Sequence, residues 1–201
     1  VKLNLRFNSF QAENDISDMK IIDLFPENKK AIEQIAVMLV EAFKEHWADA
    51  WRNVEAARKE VEESFAEDRI SRVAIDEDET VLGWIGGISM YNGHVWELHP
   101  LVVNPKMQRH GIGRELVKDL EEKVKQRGGL TLFLGTDDED EMTSLSGVDL
   151  YENTFEKISN IKNLKQHPFE FYQKLGFKIV GVMPDANGLG KPDIYMAKRI
   201  V

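Results

Sequence analysis

The first eight residues alternate strictly, with Val1, Leu3, Leu5 and Phe7 apolar against Lys2, Asn4, Arg6 and Asn8. That is the period of a half-buried strand; an unstructured terminus is the competing reading. A second apolar run, Met19 to Leu24, stops before Pro26. From Glu27 to about His46, Ile32, Ile35, Ala36, Leu39, Val40 and Phe43 recur every three or four residues, the stripe of an amphipathic helix. The segment HWADAW at 46–51 follows, and then a second helical pattern through about Phe65.

From Arg72 the period shortens. Val73-Ala74-Ile75 reads as a short strand, Asp76 to Glu79 as an acidic turn, and Val81 to Met90 as a longer strand. Asn92-Gly93 marks a two-residue hairpin turn, because both residues tolerate positive φ. It leads into a strand from His94 to Val103. A glycine-bearing loop, Gln108 to Gly113, precedes a helix from Arg114 to Arg127 that Gly128-Gly129 stops. Leu130 to Leu134 reads as a buried strand and Thr136 to Glu141 as an acidic loop. A short helix is expected around Pro168 to Leu175, since proline suits a helix start. Strands near Lys178 to Met183 and Ile194 to Arg199, with Asn187-Gly188 between them, close the chain as a hairpin. The sum is an α+β, mixed-sheet arrangement: an extension over 1–18 and a single domain over 19–201.

Composition narrows the function. The 201 residues carry 26 Lys+Arg and 35 Asp+Glu, a formal net charge of −9. An acidic chain lacks the basic face that displaces counterions from phosphates, so no nucleic-acid partner is expected. A small cationic partner suits it better. No apolar run approaches the ~20 residues that span a bilayer, and VKLNLRFNSF lacks a signal peptide's apolar core and cleavage site. No membrane association is expected, and the cytoplasm is the default location. Cysteine is absent, which removes thiol nucleophiles and cysteine-ligated metals. The histidines His46, His94, His99, His110 and His167 show no ligand spacing, so no metal is expected.

The sharpest local feature is Gln108-Arg109-His110-Gly111-Ile112-Gly113 between a strand and a helix. Such a loop offers backbone N–H groups backed by the positive end of the helix dipole, an anion site for which pyrophosphate is the usual occupant. Arg109, His110 and Arg114 add positive charge. A tight strand–helix turn without a ligand is the plain alternative. The Lys-Ser/Thr ending of a Walker loop is missing, and so is the third glycine of the dinucleotide fingerprint.

Gln-x-x-Gly-x-Gly after a strand resembles the acyl-coenzyme A loop of the Gcn5-related N-acetyltransferase (GNAT) superfamily. The segments Trp96 to Val103, Leu134 to Asp138, Asp149 to Glu152, Phe171 to Gly176 and Lys191-Pro192-Asp193 further resemble the chromosomal aminoglycoside 6′-N-acetyltransferases. The likeness runs from about Met19 to the C-terminus, strongest from Tyr91 onward. It implies a central, mostly antiparallel sheet splayed at the cofactor site, with helices on both faces. It implies acetyl-CoA as co-substrate, with pantetheine on the backbone of Leu101, Val102 and Val103, and diphosphate on Gln108, Arg109, His110, Gly111, Ile112 and Gly113, with Arg114 beside them.

The same resemblance assigns Glu97 to recognising or deprotonating the amine and Tyr172 to protonating the departing thiolate. A solvent-facing carboxylate and a core aromatic are the alternatives. Strand alternation places Glu97 and His99 on one face, where the pair relays a proton or makes a structural hydrogen bond. Five consecutive acids, Asp137 to Glu141, suit a polyamine sugar, although an acidic run is also a common solvated loop. Within it Asp140 is the substrate contact implied, with Trp47 and Tyr91 as acceptor walls. The segment around Trp47 departs from the proline-bearing pattern of the relatives.

The function implied is acetyl transfer to the 6′-amine of an aminoglycoside or similar polyamine, by direct attack in a ternary complex. No side chain is set as a covalent acyl carrier. Protein or peptide amines are a second acceptor class, and a non-catalytic acyl-CoA-binding module is a third possibility. A homodimer is expected, with the 1–8 strand extending a sheet edge.

Overall fold

The computed structural model describes residues 19–47 and 49–201; the alternating segment read as a strand over 1–8 lies outside them. Among the described residues the strands are β1 (Lys20–Asp23), β2 (Arg69–Ile75), β3 (Val81–Met90), β4 (Val95–Val103), β5 (Thr131–Asp137), β6 (Lys178–Met183) and β7 (Asp193–Arg199). The helices are α1 (Lys29–Phe43), α2 (Val54–Glu63), α3 (Ile112–Gln126), α4 (Thr154–Ser159) and α5 (Phe169–Lys174). The strands form a seven-stranded sheet in the order β1-β2-β3-β4-β5-β7-β6. β1–β2, β2–β3, β5–β7 and β6–β7 pair antiparallel, and β4–β5 pair parallel.

The chain divides into two compact units. One comprises the residues through Ile88 together with Leu98–Lys123; the other comprises Ser89–Glu97 with Val124–Val201. The core of the first forms where the apolar stripe of α1 (Ile32, Ile35, Ala36, Leu39) meets Trp51, Ala57, Val61, Val73, Trp84 and Val102. α2 starts where the Asn53 side chain accepts from the Ala56 N–H at 2.9 Å. That bond satisfies an amide with no carbonyl one turn back.

Close packing within this unit dictates two glycines. A methyl on Gly83 would lie 2.9 Å from both the Leu116 side chain and the Val102 carbonyl, and one on Gly86 would collide with the His99 carbonyl. Arg72, with its side chain 6% exposed, forks onto Asp119 at 2.6 and 2.9 Å and meets Asp23 at 2.6 Å. Burial opposes its charge, but these hydrogen bonds outweigh that and hold the guanidinium above its ordinary pKa.

In the second unit Leu132, Leu134, Leu145, Phe177, Ile194 and Met196 are buried. Leu132 and Leu134 on β5, and Ile194 and Met196 on β7, alternate with residues on the opposite face, as a strand's period of two requires.

Several boundaries move from those read in the sequence. β2 begins at Arg69, because the polar-looking Ser71 and Arg72 are buried in it. The Asn92-Gly93 turn is a wider 3-10 turn, Tyr91–Gly93, in which Tyr91, Asn92 and Gly93 all hold positive φ. The acidic loop begins after Asp137, not at Thr136, because β5 pairs with β7 through Asp137↔Asp193. α4 arises in a stretch whose pattern suggested no element.

Candidate active site

In the first unit, the last part of β4 carries Leu101 and Val103 half-buried and Val102 buried. The Val102 side chain therefore belongs to the core, and only its backbone can face a ligand. The chain then passes through a turn, Pro105–Met107, that the Asn104 side chain braces by accepting from Lys106 N–H at 3.1 Å. Arg109 and Gly111 take positive φ of 67° and 91°, which turns the chain sharply into α3. Gly111 adopts this without a Cβ penalty.

Ile112, Leu116 and Leu120 anchor that helix in the core. Its first-turn amides have no intrahelical carbonyl to donate to and open toward the loop. Gln108 and Arg109 are exposed. His110 donates from Nδ1 to the Met107 carbonyl at 3.2 Å, since a carbonyl can only accept. Arg114 shares its charge with Glu115, to which Lys118 also donates. Those bonds, Lys118 first, hold the Glu115 carboxyl below its ordinary range.

His99 is exposed on β4, after which a cis peptide joins it to Pro100. Its Nε2 lies 3.8 Å from the Glu60 carboxylate of α2, and its ring centroid lies 6.3 Å from that of Trp51. Trp51 in turn packs edge-on against Phe43 at 4.8 Å. Trp47, expected as an acceptor wall, packs against Phe43 and His46. Neither Glu60 nor Trp51 carried a signal in the sequence beyond its helical spacing or its aromatic identity.

The second unit holds the acidic part, and register assembles it. Parallel pairing aligns Val95↔Thr131, Trp96↔Leu132 and Glu97↔Phe133. Antiparallel pairing aligns Phe133↔Ala197, Gly135↔Tyr195 and Asp137↔Asp193. With side chains alternating between faces, Glu97, Phe133, Gly135, Asp137, Asp193 and Tyr195 share one face of three adjacent strands. The Phe133 and Tyr195 rings meet edge-on at 5.4 Å. The Asp193 carboxylate lies over Gly135: a methyl there would come within 2.5 Å of its Oδ2.

Burial, and then the charge of Asp137, push the Asp193 pKa from 3.8 up to about 6. Backbone N–H groups of Thr136 and Ile194 oppose the rise, and Glu97 adds to it. Asp193 Oδ1 is buried without a hydrogen-bond partner. Burial, with Asp193, Asp137 and Glu97 adding, also raises the Tyr195 phenol. Asp137 itself accepts from the Asn187 amide at 2.5 Å.

The remaining acids of the run have different fates. Asp138 is fully buried and accepts the N–H groups of Met142 and Thr143 at 2.6 and 2.8 Å, so it shapes the loop and offers nothing to solvent. Asp140 is exposed, and its carbonyl accepts from Lys165 at 2.9 Å. Tyr91 is 73% exposed. Tyr172 sits on α5 between Phe171 and Phe177, at ring distances of 5.0 and 5.7 Å. Burial raises its phenol far above the ordinary value. His167 is buried, donates Nε2–H to the Asp137 carbonyl at 3.0 Å, and is held neutral by desolvation.

Asp193 is the residue the sequence reading left without a role. Its motif was visible in Lys191-Pro192-Asp193, and the alternation Asp193, Tyr195 against Ile194, Met196 marks its face. Only the β5–β7 register shows which acids it meets.

Comparison with known proteins follows the same lines. A solved aminoglycoside 6′-N-acetyltransferase complexed with coenzyme A is 45% identical to this chain, with a TM-score of 0.83, covering 90% of this chain and 97% of the other. An aminoglycoside 6′-N-acetyltransferase from Enterococcus faecium is 46% identical, with a TM-score of 0.81 and the same coverage. An aminoglycoside 6′-acetyltransferase of type Ii is 39% identical, with a TM-score of 0.68, again over 90% and 97% of the two chains. No sequence among the curated proteins matches at a significant level. The family model described as "Acetyltransferase (GNAT) family" matches residues 32–153, and on both grounds the chain belongs to the GNAT acetyltransferases.

Proposed function

We propose that the chain transfers an acetyl group from acetyl-CoA to the 6′-amine of an aminoglycoside or a closely similar polyamine. What carries the reading is the meeting of three carboxylates, Glu97, Asp137 and Asp193, on one sheet face of a chain 45% identical to a 6′-acetyltransferase. A polycation gains most where several fixed negative charges lie together in a partly buried setting.

The residues fit acetyl-CoA. The positive-φ Gly111 and the open first turn of α3 offer amides to a diphosphate. β4 extends through Leu101 to Val103, and its backbone there is proposed to pair with the amide-bearing arm of the cofactor. Bound acetyl-CoA supplies the acyl group as a thioester.

Glu97, on the same strand upstream, accepts a proton from the acceptor ammonium, directly or through water. His99 stands beyond it with Glu60 against its imidazole. Tyr172 stays protonated throughout the physiological range, because burial disfavours its phenolate. It therefore meets the departing sulfur as a neutral donor, and it is assigned the proton that the thiolate takes up as the C–S bond breaks. Asp140, Tyr91 and Trp47 are proposed to contact the acceptor. The homodimer and the cytoplasmic location belong to the same reading; light scattering with and without residues 1–18 tests the first.

The experiment is acetyl-CoA turnover over a panel of kanamycin A, spermidine and basic peptides, with the site of acetylation located by mass spectrometry. Acetylation of kanamycin A at its 6′-amine, at an efficiency above the other amines, is expected. Preferred turnover of the peptides would replace the acceptor, and turnover of none would leave only an acyl-CoA-binding module.

A further inference from the structure

The trio on the β4–β5–β7 face contains one member that is not satisfied. Asp193 Oδ1 is buried and has no hydrogen-bond partner, while Oδ2 lies close above Gly135. The carboxyl pairs across the register with Asp137 and feels the charge of Glu97 on β4. Tyr195 is the other titratable group facing it; burial and the neighbouring acids keep its phenol neutral, so it adds no further negative charge. The Asn187 amide donates to Asp137, the neighbouring carboxylate. A buried carboxylate oxygen without a donor is costly, and it becomes costlier beside two like charges. Two states relieve it: a proton on Asp193, or a cation brought against the trio. On the reading of the acceptor as a polyamine, that cation is an organic ammonium.

We infer that Asp193 is a specificity-determining residue of the acceptor end of the site, which holds a proton while the site is empty and releases it when a polyamine binds. This rests on the reading of the acceptor as a polyamine and adds to it a role for a residue with none assigned. The exchange balances: one carboxyl proton leaves to solvent as one ammonium arrives, and no covalent bond changes. The raised pKa of Asp193, about 6, places the exchange just below neutrality.

Calorimetry of kanamycin A binding to the coenzyme A complex, in two buffers of different ionisation enthalpy, counts the protons. At pH 5.5 the acceptor amines are charged both free and bound, so the Asp193 proton is isolated. The wild-type protein is expected to release about 0.7 more protons per bound kanamycin A than Asp193→Asn, and the excess should vanish by pH 7.5. In turnover the variant should show a KM for kanamycin A raised about tenfold and an unchanged KM for acetyl-CoA. Equal proton counts in the two proteins would overturn the inference while leaving the acetyltransferase reading intact.

If Asp193→Asn does not fold, carbon-13 NMR of the wild-type carboxyls decides. A resonance titrating near pH 6 that stops titrating when kanamycin A saturates the protein supports the exchange, and one that titrates unchanged refutes it. Failure of the wild-type protein to bind or acetylate kanamycin A would remove the underlying reading, and with it this one.

Discussion

Replacing Asp193 with Asn removes a titratable group while keeping its shape, and the structure states what that does to stability. In the unfolded chain an aspartate ionises near its ordinary pKa, whereas in the fold burial and Asp137 push it up to about 6. Below pH 4 both states are protonated, and the group neither helps nor harms. Between pH 4 and 6 the unfolded chain ionises first, so the folded state loses ground as pH rises; above pH 6 the whole penalty is present. Unscreened, the rise from 3.8 to about 6 corresponds to roughly 3 kcal/mol. Because the side chain is partly open to solvent, about 1–2 kcal/mol is expected in practice.

Asn can still accept from the Thr136 and Ile194 N–H groups, so it escapes the penalty without losing those bonds. Asp193→Asn is therefore expected to be more stable than wild type at pH 8, with Tm higher by roughly 3–6 °C. The gap should close toward pH 4. Melts followed by circular dichroism at pH 4, 5, 6, 7 and 8 measure it. A variant less stable at pH 8, or a gap independent of pH, would refute the reasoning. Stability gained together with a weaker grip on the acceptor is the usual signature of a strained functional group.

Other outcomes follow from the same geometry. Glu97→Gln should lower kcat/KM for the acceptor by about 10²-fold or more, with affinity for coenzyme A by calorimetry unchanged. Gly111→Ala places a side chain where φ is 91°, and should weaken coenzyme A binding by about tenfold; unaltered affinity would remove the loop from the cofactor site. Tyr172→Phe should reduce kcat, and the wild-type pH–rate profile up to pH 9 should show no limb from this phenol, which burial keeps protonated. Asp119→Asn leaves the buried Arg72 with the exposed Asp23 as its remaining carboxylate, and should cost about 3 kcal/mol in urea denaturation.

Much of this protein was readable before any coordinates. Periodicity placed α1 and β3 within a few residues, because an amphipathic stripe and a strand's alternation are local properties of the chain. The loop from Gln108 into α3 was legible for the same reason, although the helix begins at Ile112, two residues earlier than the glycines suggested: glycine identity and helix onset need no distant partner. Alternation also put Glu97 and His99 on one side of β4. What each of them meets was not legible. Glu60, far earlier in the chain, lies 3.8 Å from His99, and Asp138 disappears into the interior where it accepts two loop amides. Asp193 joins Glu97 and Asp137 because β5 and β7 pair in one register among several that the alternation permits. A one-residue slip would turn every one of those side chains to the other face. Local pattern determined which residues could carry charge toward a ligand; long-range strand pairing, which no local pattern encodes, decided which of those charges share a field.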